Sequence, residues 1–288
     1  MRSFPAKVLL FGEHTVLYEG QALAIPFERF AARWVQKAVV DQRLLDFGNY
    51  LRKSEKINWL LTDQLLEDVT NGWQLASNVP LGYGVGSSGT VCAAVYARYV
   101  LEGDKDLTNT RHRLAQMEAF FHGSSSGLDP IVSLCNSPIL VDASGCREVA
   151  VSQDALEPFF LLDSGQARSS DNIISELKRR FETDGEWQDL VREAWMQPSQ
   201  KLIKAVTTDQ NKATIERQVR RLSQFQFEQL GHLIPMLFHQ YKQNAGFCLK
   251  LCGAGGGGFL IGYAFDRKLT MSVLKEYKTY WLFNDSEL

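Results

Sequence analysis

The 288-residue chain lacks any apolar run approaching the length of a membrane span. Its first residues, MRSFPAKVLLFGEH, show neither a long apolar segment nor a small-residue cleavage site, so a cytoplasmic protein without a membrane partner is expected. Cysteine is sparse: Cys92, Cys135, Cys146, Cys248 and Cys252 are odd in number, scattered, and form no Cys-x-x-Cys pair. Reduced thiols packed as small hydrophobes fit that pattern better than disulfides or a zinc site. A basic excess is also missing, since the net charge is −2, and nucleic acid is not an expected partner. Neither Gly-x-x-x-x-Gly-Lys-Ser/Thr nor a strand-borne Gly-x-Gly-x-x-Gly followed by a ribose carboxylate occurs, so a P-loop or dinucleotide fold has little support. No solenoid repeat or low-complexity linker interrupts the chain.

What is present is glycine, in three places that carry chemistry. In PLGYGVGSSGTV, Gly82, Gly84 and Gly86 run into Ser87, Ser88 and Gly89 and then into an apolar helix, and free N–H groups at such a junction can hold an anion. Alone, this loop reads as readily as a tight turn. AKVLLFGEHTVLYEG reads as a strand from Lys7 to Phe11 that breaks at Gly12 and delivers Glu13 and His14 into a loop. KLCGAGGGGFLIGYA carries a strand ending at Leu251 into Gly253 and four more glycines from Gly255 onward. Three such turns on apolar elements suggest one composite site.

The remaining pattern is that of an α+β protein. Strands are expected at Val8 to Phe11, Ala22 to Pro26 and Ala31 to Val40. A helix is expected from Thr108, as N-cap, to Phe121, with Leu114, Met117 and Phe121 at helical spacing. PILVDA and PFFLLDSG read as short strands around a Gly-Cys-Arg turn, residues 169 to 244 read as almost entirely helical, and strands return at Phe247 and Phe259. His112, His232 and His239 sit in Leu- and Phe-rich helical surroundings and read as surface or packing residues, whereas His14 and His122 fall inside motifs. A boundary near residues 150 to 157 divides the chain into expected lobes 1–152 and 153–288.

Taken together, the motifs resemble those of the GHMP kinases. KVLLFGEHTVLYEG is similar to the first family motif in the form found in the mevalonate kinase branch. PLGYGVGSSGT is similar to the second, with Leu81, Tyr83 and Gly89 where that branch often has Pro, Ala and Ala, and LCGAGGGGF to the third. MEAFFHGSSSGLDP resembles the branch's Glu-x-x-x-His-Gly-x-Pro-Ser-Gly-x-Asp, with Ser125 in place of Pro. The resemblance covers most of the chain. It implies a two-lobed GHMP kinase fold: an N-terminal lobe with a left-handed βαβ unit, a C-terminal ferredoxin-like α/β lobe, and a site between them.

The chemistry implied is phosphoryl transfer from ATP with magnesium (Mg2+) to a small-molecule substrate, mevalonate or a similar hydroxy acid. Another enzyme of the superfamily, such as a phosphomevalonate kinase, a sugar kinase or a diphosphomevalonate decarboxylase, is the alternative. A non-catalytic ligand-binding homologue is a further one, and a homodimer stays open. Such a reaction needs donors for the phosphates, a metal on their oxygens, and a group that orients the attacking hydroxyl. By resemblance, residues Gly82 to Gly89 cradle ATP, Ser88 and Glu118 hold the metal, Asp129 is the catalytic carboxylate and Lys7 its cation. On spacing alone Glu118 could be a solvated helix residue, Asp129 a turn residue before Pro130, and Lys7 an edge-strand charge. A lysine beside a carboxylate orients it and offsets its charge, so the pair positions the hydroxyl more than it supplies a strong base. Glu13, His14, Arg168, Ser170, Gly253 and Gly255 are expected around the substrate, although Arg168 and Ser170 also fit a helix cap. The adenine contacts are expected in a variable region between Asp46 and Trp73.

Overall fold

The computed structural model describes residues 2–167, 173–208 and 211–283. The chain opens on β1 (Ser3–Phe11), a near-continuous apolar run buried on both faces, which pairs antiparallel with β2 (Ala22–Gln36). The two strands expected within 22–40 are thus one strand, ending at Gln36. The register jumps from Ala6 opposite Phe27 to Pro5 opposite Ala31, so Glu28, Arg29 and Phe30 form a bulge. That bulge absorbs the charged FERF interruption that sequence pattern reads as a break.

After β2 come α1 (Gln42–Lys53), α2 (Thr62–Thr70), β3 (Trp73–Ser77), α3 (Ser87–Tyr99), α4 (Leu107–His122), α5 (Leu128–Cys135), β4 (Ile139–Asp142) and β5 (Gly145–Glu148). Both β3 and β4 pair antiparallel with β2, on the edge opposite β1, so they run in the same direction with α3, α4 and α5 crossing between them. The expected Gly-Cys-Arg turn lies instead within β5, which forms a hairpin with β4. Asp106, not Thr108, caps α4, its carboxylate accepting from Thr108 N at 2.8 Å, while the Thr108 hydroxyl accepts from Cys146 N at 3.1 Å.

The second sheet is built from β6 (Phe159–Asp163), β7 (Phe247–Leu251), β8 (Phe259–Ala264) and β9 (Thr279–Trp281), in the order β7-β8-β6-β9 and antiparallel throughout. The short α6 (Gln153–Leu156) precedes it. Between β6 and β7 lie α7 (Ile173–Thr183), α8 (Gly185–Val191), a π turn at Arg192–Met196, α9 (Gln197–Thr207) and α10 (Lys212–Gln229), and α11 (Arg267–Val273) precedes β9. Strand–helices–strand–strand–helix–strand with the first strand next to the last is the ferredoxin-like arrangement. One core packs Phe47, Ala93, Met117 and Ile131 beneath the first sheet. The other gathers Val8 and Leu10 of β1 with Leu161, Trp195 and Leu251, so β1 contributes to both sides of the molecule. None of the five cysteines is in a disulfide. Among the described residues no helix is long and apolar enough to cross a membrane.

Helix starts differ in a way that bears on function. Asp41, Asp106, Asp184, Asn211 and Asp266 cap α1, α4, α8, α10 and α11 with their side chains. By contrast α3 and α5 begin at Gly86 and Gly127, both left-handed and without a side-chain cap.

Gly262 tests the packing of the second sheet. A Cβ there would lie 2.1 Å from the Phe160 ring, itself buried against Trp281 at 5.1 Å between centroids. Gly262→Ala is expected to lower the urea midpoint by the equivalent of about 1–3 kcal/mol through overpacking. An unchanged midpoint would show that the ring can yield.

Candidate active site

Lys7 lies mid-strand in β1, and the free edge of that strand is closed by the glycine loop: Lys7 N donates to Val85 O at 3.0 Å. The side chain of Lys7, 4 % exposed, donates from Nζ to Gly84 O at 3.0 Å and forms an ion pair with Asp129 Oδ1 at 3.1 Å. Asp129 stands in the first turn of α5, where a carboxylate also faces the positive end of the helix. Gly86 fits between the two partners because it has no side chain. A Cβ there would lie 3.1 Å from Lys7 Cγ and 3.2 Å from Asp129 Oδ2, and its φ of 76° suits glycine. Gly89 lets α3 and α5 touch, since a Cβ would approach Asp129 to 2.9 Å. Lys7, Gly84, Gly86, Gly89 and Asp129 are therefore brought together.

On α3 and α4, Ser88 and Glu118 meet. Ser88 Oγ donates to Glu118 Oε1 at 2.7 Å, which leaves its oxygen to accept from His122 Nε2 at 3.0 Å. Ser125 donates to the other carboxylate oxygen, Oε2, and its own oxygen accepts from Gly127 N at 2.9 Å. Glu118 is buried, not the solvated residue that spacing alone allowed. Burial, and next the negative charge of Asp129, push its carboxyl up from 4.5 to about 7, against the opposing pull of Ser125, Ser88 and Lys7. Two carboxylates share one ammonium here, an imbalance that favours an added cation. Among the described residues no group of three or more His, Cys, Asp or Glu could hold a metal. A two-oxygen set of Ser88 and Glu118 fits an ion that takes its other ligands from phosphate and water.

Glu13 and His14 turn inward. Glu13 is fully buried, pairing with Lys250 of β7 and accepting from Gln226 Nε2 at 3.3 Å, while Gln226 Oε1 receives Leu251 N at 2.7 Å. Removing one partner of such a buried pair costs about 3–5 kcal/mol, so its first consequence is to fix the turn after β1 against β7. His14 has a positive φ of 59°, rare outside glycine, and its Nε2 donates to Ala254 O at 3.1 Å, tying the same turn to the third glycine segment. Gly253 comes beside the glycine loop, where its Cβ would sit 3.7 Å from Gly84 O, whereas Gly255 packs on Leu233 and Leu251. Arg168 and Ser170 lie outside the described residues.

A cavity of about 390 Å³ adjoins the glycine loop on the side of Ser87 and Ser88. It is bounded by Gly82, Arg43, Phe47, Leu75, Phe121 and His122, among others. Phe47 falls within the variable region expected to reach the base, but Arg43 precedes it and Leu75 follows it. Sequence reasoning missed the roles of Lys250, Gln226, His122 and Ser125. A lysine inside the apolar strand FCLKL was the available signal for Lys250, and the motif positions of His122 and Ser125 were signals for those two.

Residues 50–137 match the family described as GHMP kinases N terminal domain. The chain carries that domain of ATP-dependent small-molecule kinases within the GHMP kinase fold. Its relatives in sequence include the mevalonate kinase of Archaeoglobus fulgidus, 24% identical over 90% of each chain, and that of Pyrococcus horikoshii, 24% identical over 93% of this chain and 89% of the other. Among solved structures, a mevalonate kinase superposes with a TM-score of 0.66 at 16% identity, over 96% of each chain. The phosphomevalonate kinase of Streptococcus pneumoniae superposes with 0.65 at 18%, over 96% of this chain and 97% of the other.

The raised Glu118 makes a prediction about the protein without nucleotide or metal. The folded state keeps this proton up to about pH 7, whereas the unfolded chain releases it near 4.5. The stabilisation is fully present below 4.5 and is lost as pH rises through 7, by on the order of 3 kcal/mol. Glu118→Gln cannot titrate, so its stability relative to wild type should rise between pH 4.5 and 7.5 in chemical denaturation. A difference that stays constant across that window would contradict the assignment.

Proposed function

We propose that this chain is an ATP- and magnesium-dependent kinase that transfers the γ-phosphoryl group to the 5-hydroxyl of mevalonate, in the cytoplasm, through a site between lobes 1–152 and 153–288. The observation that carries the chemistry is the Lys7 to Asp129 ion pair, set directly against a glycine loop that opens an uncapped helix. Mevalonate as acceptor is supported by the sequence relatives. Likeness in fold to mevalonate and phosphomevalonate kinases alike does not choose between their acceptors.

In this reading the backbone amides of Ser87, Ser88 and Gly89, which lie before the first full helical hydrogen bond at Thr90, bind phosphate oxygens. The cavity beside Phe47 and Leu75 receives the nucleotide base. Ser88 and Glu118 would hold magnesium, which when bound neutralises charge on the phosphate oxygens. Holding that ion requires the ionised form of Glu118. Asp129 accepts the hydrogen bond of the attacking hydroxyl and aims its oxygen at the phosphorus. Lys7 keeps the carboxylate in place and offsets the negative charge gathered around the transferring group. His14, held to Ala254, and Gly253 border the acceptor, and Glu13, paired with Lys250, anchors the turn that carries His14.

Side-by-side turnover with magnesium-ATP tests the acceptor. The purified protein should show a kcat/KM for mevalonate well above those for phosphomevalonate, galactose and homoserine. A preference for any of the other three would overturn the acceptor assignment while leaving the phosphoryl-transfer reading intact.

A further inference from the structure

Tyr83 occupies the tip of the glycine loop, between Gly82 and Gly84, yet its side chain does not line the cavity beside that loop. The ring turns to the second sheet. It meets Phe259 of β8 edge-on at 5.1 Å between centroids, and Phe259 in turn meets Tyr280 of β9 at 5.7 Å. Phe30, from the bulge in β2, lies 5.4 Å from Tyr280 and 6.0 Å from Phe259, closing an aromatic cluster drawn from both sheets. Asp163, whose backbone lies opposite Phe259 in the β6–β8 ladder, stands near the Tyr83 hydroxyl. Burial, and next the negative charge of Asp163, raise the pKa of this hydroxyl, so it stays protonated.

The backbone is held from the same side. Phe259 N donates to Tyr83 O at 3.4 Å, and Gly258 permits the approach, since a Cβ there would come within 2.6 Å of that carbonyl oxygen. On its inner side the loop is held by two bonds from Lys7, to Gly84 and Val85. A segment with glycines at positions 82, 84 and 86 has many alternative conformations in solution, and ordering it on binding would cost affinity.

We infer that Tyr83 is a positioning residue: an aromatic anchor that fixes the glycine loop to the second sheet and thereby preorganises the amides that receive the nucleotide's phosphates. The inference rests on the proposed phosphate-binding role of the loop and adds the device that holds it in shape. Because Tyr83 does not line the cavity proposed for the nucleotide base, its loss acts on nucleotide affinity through loop order. The acceptor side, set by Asp129 and the turn at His14, is left in place.

Two measurements on the full chain test this: equilibrium dialysis with magnesium-ATP, and hydrogen exchange of the peptides covering residues 80–92. Tyr83→Ala should bind ATP about tenfold more weakly, the equivalent of losing one edge-on aromatic contact. Its loop amides should exchange faster, and KM for the acceptor should stay within about twofold of wild type. Tyr83→Phe, which keeps the ring, should recover most of the affinity and protection. Should Tyr83→Ala not fold, Tyr83→Leu, which keeps apolar bulk without the edge-on contact, is judged by the same criteria. Wild-type ATP affinity in the truncated variant, or unchanged exchange of its loop, would overturn the inference. Failure of the wild-type protein to bind ATP would instead remove the reading beneath it, and the inference with it.

Discussion

Lys7 places an ammonium group in the interior, and a buried charge is tolerated only when it is paired and hydrogen-bonded. Its partners are the Asp129 carboxylate at 3.1 Å and the Gly84 carbonyl at 3.0 Å, while its own amide holds Val85. Three segments remote in sequence, the middle of β1, the glycine loop and the start of α5, are thereby referred to one point. The glycines around it follow from this convergence. Gly86 and Gly89 lie where any side chain would press on Lys7 or Asp129, so the loop and the two helices can close on the pair only if both positions stay bare.

The charges around this point form two systems with different consequences. Glu13 and Lys250 make a buried pair through Glu13 Oε1, which also accepts from Gln226, and it links the turn after β1 to β7, while Glu13 Oε2 is buried without a hydrogen-bond partner. Glu118, Asp129 and Lys7 do not balance, and burial together with the charge of Asp129 holds the proton of Glu118 up to about pH 7. A pair of equal and opposite charges between two elements suits a structural joint. An unbalanced group of two carboxylates beside uncapped helix amides suits a site that receives a cation together with an anionic phosphate chain.

The composite site was legible in the sequence because its parts are local signals: glycines before a helix, a Gly-Glu-His turn after a strand, a run of glycines between strands. Their convergence depends on sheet pairing and helix packing, which no local pattern encodes, and the motif resemblance supplied it. Sequence alternation breaks the long β2 into two strands because the bulge at Glu28 to Phe30 exposes charges that interrupt it. The cap of α4 moved from Thr108 to Asp106 because the threonine hydroxyl is taken by Cys146 across to β5, a tertiary contact. The motif resemblance places Glu13 around the substrate. Only the fold reveals that Lys250, more than two hundred residues later, draws it into the interior.

If the Lys7-held carboxylate of Asp129 orients the acceptor hydroxyl for phosphoryl transfer, Asp129→Asn removes that orientation. The substitution keeps the size of the side chain and removes its charge. With magnesium-ATP and saturating acceptor, kcat should fall on the order of 10²-fold or more while ATP affinity stays within about twofold, because the loop and the metal hold the phosphates independently. Near-normal turnover in a folded Asp129→Asn protein would contradict the account and leave Asp129 as a structural residue at the start of α5.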